Sequence, residues 1–166
     1  MKKDKIAKDD NKKKWRKYAA FILLTEVVSA LAGILTKSAM PAYEQALKPP
    51  LTPPSAVFPV VWVILFALLG IGAARVCLSP PSKYRRAALA VFWVQLVFNF
   101  LWSLIFFNLQ AYGMAFFWLV ALWLLILLMT VLFAKVDKAA AWLQTPYLLW
   151  VAFAGYLNLM VWLLNR

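Results

Sequence analysis

The chain has no histidine and one cysteine, Cys77, among its 166 residues. Without imidazole there is no side chain whose ordinary titration falls near neutral pH, no histidine base, and no imidazole ligand for zinc or haem. A lone thiol closes no intrachain disulfide and builds no CxxC site, so Cys77 reads as a small apolar residue near a helix end. Glycines number five and form no phosphate-cradling loop. Acidic residues are also scarce, six against 18 basic ones. These shortages leave no conventional hydrolase or metalloenzyme machinery, and neither a metal site nor a required cofactor is expected.

What is abundant is apolar surface. Hydrophobic residues make up 65% of the chain, the mean hydropathy is +0.77, and no charged side chain occurs in the 48 residues between Arg86 and Lys135. A bilayer crossing needs only about 20 residues, so this is an integral membrane protein. Lipid offers backbone N–H and C=O groups no partner, which restricts spans to helices or closed barrels; continuous rather than alternating apolar runs select helices. The fold class is therefore all-α, an integral membrane bundle of five transmembrane helices, at about Tyr18 to Thr36, Phe58 to Cys77, Ala87 to Phe107, Gly113 to Ala134 and Leu143 to Leu164. The polar stretch Asn108 to Gly113 divides the long uncharged run, Pro80-Pro81 breaks the chain after the second span, and Pro146 suits the first turn of the fifth. Residues 1–17 form a basic tail and 18–166 one five-helix domain, with no internal repeat.

Five spans put 15 basic residues on one side, in the tail, at Arg75, Lys83, Arg85 and Arg86, and at Lys135 and Lys138. Lys37, Lys48 and Arg166 fall on the other. By the positive-inside rule, the expectation is a bacterial plasma membrane with the N-terminus cytoplasmic and the C-terminus outside. The tail carries nine of the basic residues. It reads as a disordered topogenic segment or as one drawn to anionic headgroups, and nucleic acid is not needed to explain it. The first span contains Glu26 and only a weak small-residue site after it, so it is expected to be retained rather than cleaved.

Between the first two spans lies Lys48-Pro-Pro-Leu-Thr-Pro-Pro54. Four prolines fix φ and remove N–H donors, so this connector is non-helical and stiff, either a plain linker or a lid. In the third span Gln95, Asn99, Trp102, Ser103 and Phe106 share one face, and in the fifth Tyr147, Trp150, Ala154 and Asn158 do. Amides in hydrocarbon need partners and point inward, where they serve either as interhelical glue or as the lining of a ligand pocket. Glu26 stands in mid-span with Ser29, Ala30 and Gly33 on its face. It is either functional or merely paired with a hydroxyl such as Thr25 or Ser29, and the small residues fit close helix contact equally well. Trp15, Trp93, Trp118, Trp123 and Trp142 read as interfacial belt or packing.

The chain resembles the TspO/MBR family, the tryptophan-rich sensory proteins and translocator proteins once called peripheral benzodiazepine receptors. The likeness runs from about Ala42 to the C-terminus. It rests on Tyr43-Glu-Gln-Ala-Leu-Lys-Pro49 with Thr52-Pro-Pro54, Val57-Phe-Pro-Val-Val-Trp62, Gln95-x3-Asn99-x2-Trp102 with Phe106-Phe107, and Pro146-Tyr-x2-Trp150-x2-Phe-Ala154-x3-Asn158. Leu51 and Ala42 depart from the aromatic residues usual at those places, which implies thinner loop contacts. The sterol motif of animal members fails, because the first basic residue after Tyr156 is Arg166, so sterol is not carried over.

The resemblance implies a homodimer in the bilayer that binds protoporphyrin IX or related porphyrins, and benzodiazepine-type ligands, in a cavity beneath the first loop. Tyr43, Pro53, Trp62, Gln95, Asn99, Trp150, Ala154 and Asn158 would line it, and Trp102 on the third-span face joins them. Lack of histidine favours metal-free porphyrin over haem. A sensory or regulatory binding protein needs only this pocket. Light-dependent porphyrin breakdown, with Trp62 or Trp150 as the reactive indole, is the enzymatic alternative that the resemblance implies, and porphyrin transport is a third.

Overall fold

In the computed structural model, backbone is described for residues 2–166 and side chains from Asp10 onward. Helix α1 covers Lys2–Thr36. A 3-10 turn at Lys37–Ala39 and the short α2, Met40–Gln45, follow it. The longer helices α3, Val57–Leu78, and α4, Lys83–Ser103, come next, and α4 runs into a π-helical turn at Leu104–Asn108. The chain ends with α5, Tyr112–Ala134, the short α6, Lys138–Trp142, and α7, Thr145–Leu164. Five helical segments are long and apolar enough to cross a membrane, in agreement with the expected number and order.

The tail departs from the disordered reading, because its helix continues unbroken into the first span. No proline or glycine precedes Gly33, and Asp10 stands four residues before Lys14, a spacing that supports a helix. The break after α4 is present, but Gly113 is not its left-handed residue. Gln110 takes that role with φ 50°, while a Cβ on Gly113 would lie 2.8 Å from the Trp162 ring. Capping is local and polar where helices begin outside the apolar layer. Ser82 Oγ accepts from Arg85 N at 3.1 Å, and Asp137 Oδ1 accepts from Ala140 N at 3.1 Å.

The helices close a ring in the order α1, α3, α7, α5, α4 and back to α1. Between helices in lipid there is little hydrophobic driving force, so packing and buried hydrogen bonds carry association. Accordingly, large apolar side chains such as Leu23, Ile34, Phe117 and Leu149 lie on the outside. The buried seams mix large side chains such as Phe66, Phe92, Leu122 and Phe133 with small ones such as Gly70 and Ala73. A Cβ on Gly70 would come within 2.7 Å of Ile22 Cα, which shows how closely α1 and α3 approach. Just above, Thr25 Oγ1 donates to Phe66 O at 2.8 Å. Trp118 and Trp123 are packing residues that tie α5 to its neighbours, donating to Phe98 O at 2.9 Å and Leu148 O at 3.1 Å. Trp15 and Trp142 are exposed.

One end of the bundle gathers the basic tail and the α3–α4 and α5–α6 connections. There Arg75 pairs with Asp137 at 2.9 Å, and Lys14 and Tyr18 border the same shallow pocket. The opposite end carries the proline loop with Lys37 and Lys48. The two basic groups counted from sequence thus occupy opposite ends of the fold.

Candidate functional site

The proline loop is held in place from three sides. Pro49 is buried, and its carbonyl accepts from Thr52 N at 3.0 Å and Thr52 Oγ1 at 2.8 Å, closing a turn with Pro50 in its second position. Tyr43 on α2 sets its ring edge-on against Phe106 and Phe107, with centroids 5.5 and 5.2 Å away. The Asn165 side chain, just past α7, accepts from Leu47 N and donates to Leu47 O, both at 2.9 Å. Asn108 Nδ2 adds a bond to Leu35 O at 3.0 Å, fastening the end of α1. Leu51 points away, 64% exposed, so its departure from an aromatic costs the loop no inward contact.

Asn165 and Asn108 were not legible as loop fasteners, since nothing in spacing links a residue beside the C-terminus to Leu47. Replacing Asn165 by Ala removes both bonds to the loop. At about 1 kcal/mol net for each bond, exchange at the Leu47 amide should accelerate at least about tenfold, read by hydrogen–deuterium exchange. Unchanged exchange would mean that the loop is held without it.

Beneath this loop lies a cavity of about 920 Å³ between α1, α3, α4 and α7. Of the nine residues proposed as ligand contacts, Tyr43, Pro53, Trp62, Asn99, Trp102, Ala154 and Asn158 line it. Its aromatic wall is continuous. Trp62 lies 6.3 Å from Trp102, Trp102 lies 5.5 Å from Phe106, and Phe106 meets Tyr43. Phe106, expected on the inward face of the third span, and Phe107, noted from sequence only as part of a motif, both belong to the cavity lining.

Gln95 and Trp150 do not reach the wall. Gln95 is fully buried one turn deeper than Asn99, behind Tyr147, whose hydroxyl donates to Gln95 Oε1 at 3.0 Å and accepts from Asn99 Nδ2 at 2.9 Å. Trp150 packs its edge on Phe58 at 5.9 Å, and it is Phe58 that faces the cavity. Of the two tryptophans tied to light-dependent chemistry, only Trp62 therefore borders the space. Two of the three amides both join helices and border the cavity. Asn158 Oδ1 accepts from Trp102 Nε1 at 3.2 Å and its Nδ2 donates to Tyr112 O at 2.8 Å, so Asn99 and Asn158 join helices while their outer faces line the cavity.

Glu26 also lines the cavity, and its Oε1 is buried without a partner among the described residues. Neither expected hydroxyl takes it up, since Thr25 is committed to backbone carbonyls. Nor do Ser29, Ala30 and Gly33 serve close helix contact. They border the cavity, and a Cβ on Gly33 would meet nothing within 4 Å.

The sequence model of the TspO/MBR family matches residues 21–163, a stretch that contains α3, α4, α5, all of α7 but its last residue, and nearly the whole membrane part of α1. The chain belongs to the TspO/MBR family. It is 36% identical over 149 residues to Protein CrtK of Rhodobacter capsulatus, covering 89% of this chain and 92% of that one. It is 39% identical over 124 residues to the tryptophan-rich protein TspO of Chlorobaculum tepidum, covering 74% and 78%. With the translocator protein of Bos taurus it shares 29% identity over 155 residues, 92% of each chain. In this TspO/MBR member the loop, the aromatic wall and the amide pair all fall inside the matched stretch, whereas Asn165 lies just beyond it.

Proposed function

We propose that this protein is a membrane-embedded sensory or regulatory receptor that binds a porphyrin, with protoporphyrin IX as the probe ligand, and that the same space accepts benzodiazepine-type molecules. The observation that carries the reading is the cavity itself. Its 920 Å³ is at the upper end of small-molecule sites, its wall is a run of aromatic rings suited to a flat macrocycle, and Asn99 and Asn158 supply a few polar contacts. With no histidine in the chain, metal-free porphyrin is the favoured form. The 15-to-three division of basic residues supports a bacterial plasma membrane with the N-terminus inside. Family resemblance supports a homodimer, which cross-linking in native membranes would test.

Titration with protoporphyrin IX should quench tryptophan emission saturably. Trp62→Ala removes a wall and should weaken binding at least about tenfold, in line with the loss of a large aromatic contact. Trp150→Phe, off the wall, should leave affinity within about twofold. Non-saturable quenching, or equal affinities for the wild type and Trp62→Ala, would reject the cavity as the porphyrin site.

A further inference from the structure

The charged groups around the cavity are sorted along its axis. At the loop end Lys37 and Lys48 border it together with Glu44. Among the described residues neither lysine forms an ion pair with Glu44; Lys48 Nζ donates instead to Glu44 O at 3.2 Å and sits 4.8 Å above the Tyr43 ring. At the inner end, among the described residues, the one ionisable group lining the cavity is the Glu26 carboxyl, with its buried, unpartnered oxygen. Between them stand the aromatic rings and two amides. Lys37 and Lys48 belong to the three basic residues segregated to this end, so the positive charge here is not a share of the general basicity of the chain.

We infer that the cavity orients its ligand: an amphipathic aromatic molecule enters with its acidic edge held at the mouth by Lys37 and Lys48 and its apolar edge toward Glu26. This rests on the porphyrin-binding reading above and adds the pose and the chemical class, a flat anion acidic along one edge. The physical basis is twofold. Carboxylates at the mouth keep partial hydration and gain two ammonium partners, whereas the reversed pose takes them into the apolar interior beside an acceptor oxygen. Lys48 is also restrained by the Tyr43 ring, so little side-chain freedom is lost when it engages an anion.

The experiment compares protoporphyrin IX with its dimethyl ester, which has the same ring and no charge, on the full-length protein in detergent. The acid should bind at least about tenfold more tightly than the ester, and raising salt should weaken only the acid. The double variant Lys37→Gln/Lys48→Gln should bring the acid down to the affinity of the ester while the ester stays within about twofold of its wild-type value. Glu26→Gln should leave the acid at least about tenfold tighter than the ester. Equal affinities for acid and ester, or acid binding that ignores the lysine variants and tightens with Glu26→Gln, would overturn the orientation while leaving porphyrin binding intact. If neither form quenches saturably, the porphyrin reading fails and the orientation with it. The acid–ester and salt comparisons need no variant, so they decide the matter even if the double substitution folds poorly.

Discussion

Gly70→Ala should sharply lower the thermal stability of the protein in detergent, by roughly 2–3 kcal/mol or more, as expected for overpacking that side chains cannot relieve. The added methyl would lie 2.7 Å from Ile22 Cα, 2.9 Å from Ile22 N and 2.9 Å from Phe21 O, all main-chain atoms of α1. A rotamer change cannot clear backbone, so α1 must move away from α3. That movement would also lengthen the Thr25 hydroxyl bond to Phe66 O, now 2.8 Å. Gly33→Ala, on α1, is the internal control. Its methyl meets nothing within 4 Å, and glycine inside a helix is less favourable than alanine by about 1 kcal/mol. Gly33→Ala should therefore match or exceed the wild type. Equal thermal midpoints for the two variants would refute the assignment of Gly70 as the α1–α3 contact.

Tyr147→Phe should be the next most damaging single change. The ring is buried and shape is kept, but the hydroxyl both donates to Gln95 and accepts from Asn99. Its loss leaves Gln95 Oε1 and one Asn99 N–H without their partner. Each stranded group costs about 1–3 kcal/mol in soluble cores, while measured hydrogen bonds between membrane helices average about 0.6. A total near 2 kcal/mol is the expected outcome from those two bounds. A double-mutant cycle with Gln95→Leu isolates the coupling, since Leu removes one stranded amide and should recover part of the loss. Additive effects would mean that the hydroxyl and the amide act independently. Because Asn99 is also on the cavity wall, Tyr147→Phe frees its amide to turn and should alter porphyrin affinity as well, whereas Gln95→Leu alone should alter it little.

The two predictions fall on different kinds of residue, and that difference shows what was readable in the chain. Gln95, Asn99 and Tyr147 were identifiable as inward-facing because an amide in hydrocarbon must find a partner and helical spacing says which residues share a face. Which of them meet open space was not readable. Tyr147 fills the inner half of the bundle and Ala154 leaves room in the loop half, so residues on one face divide into a packed half and a cavity half. Trp150 is displaced from the wall in the same way, by Phe58 from a different helix. Gly70 and Gly33 show the converse limit. Both are glycines in apolar helices, and only the approach of Ile22 makes one indispensable.

Amino-acid order alone dictated the class, the five spans and the sorting of basic residues to two ends, because lipid leaves a backbone few choices and charges mark where spans stop. It also made the proline connector stiff, since ring closure acts on each residue without reference to any partner. Tertiary structure alone decided that this connector is a fastened cover, through the Leu47–Asn165 bonds and the Tyr43–Phe106 contact, and that Lys48 and Glu26 face one cavity from opposite ends. Those relations join residues up to 118 positions apart. No local propensity or spacing encodes them; they exist only once five helices have packed at particular rotations.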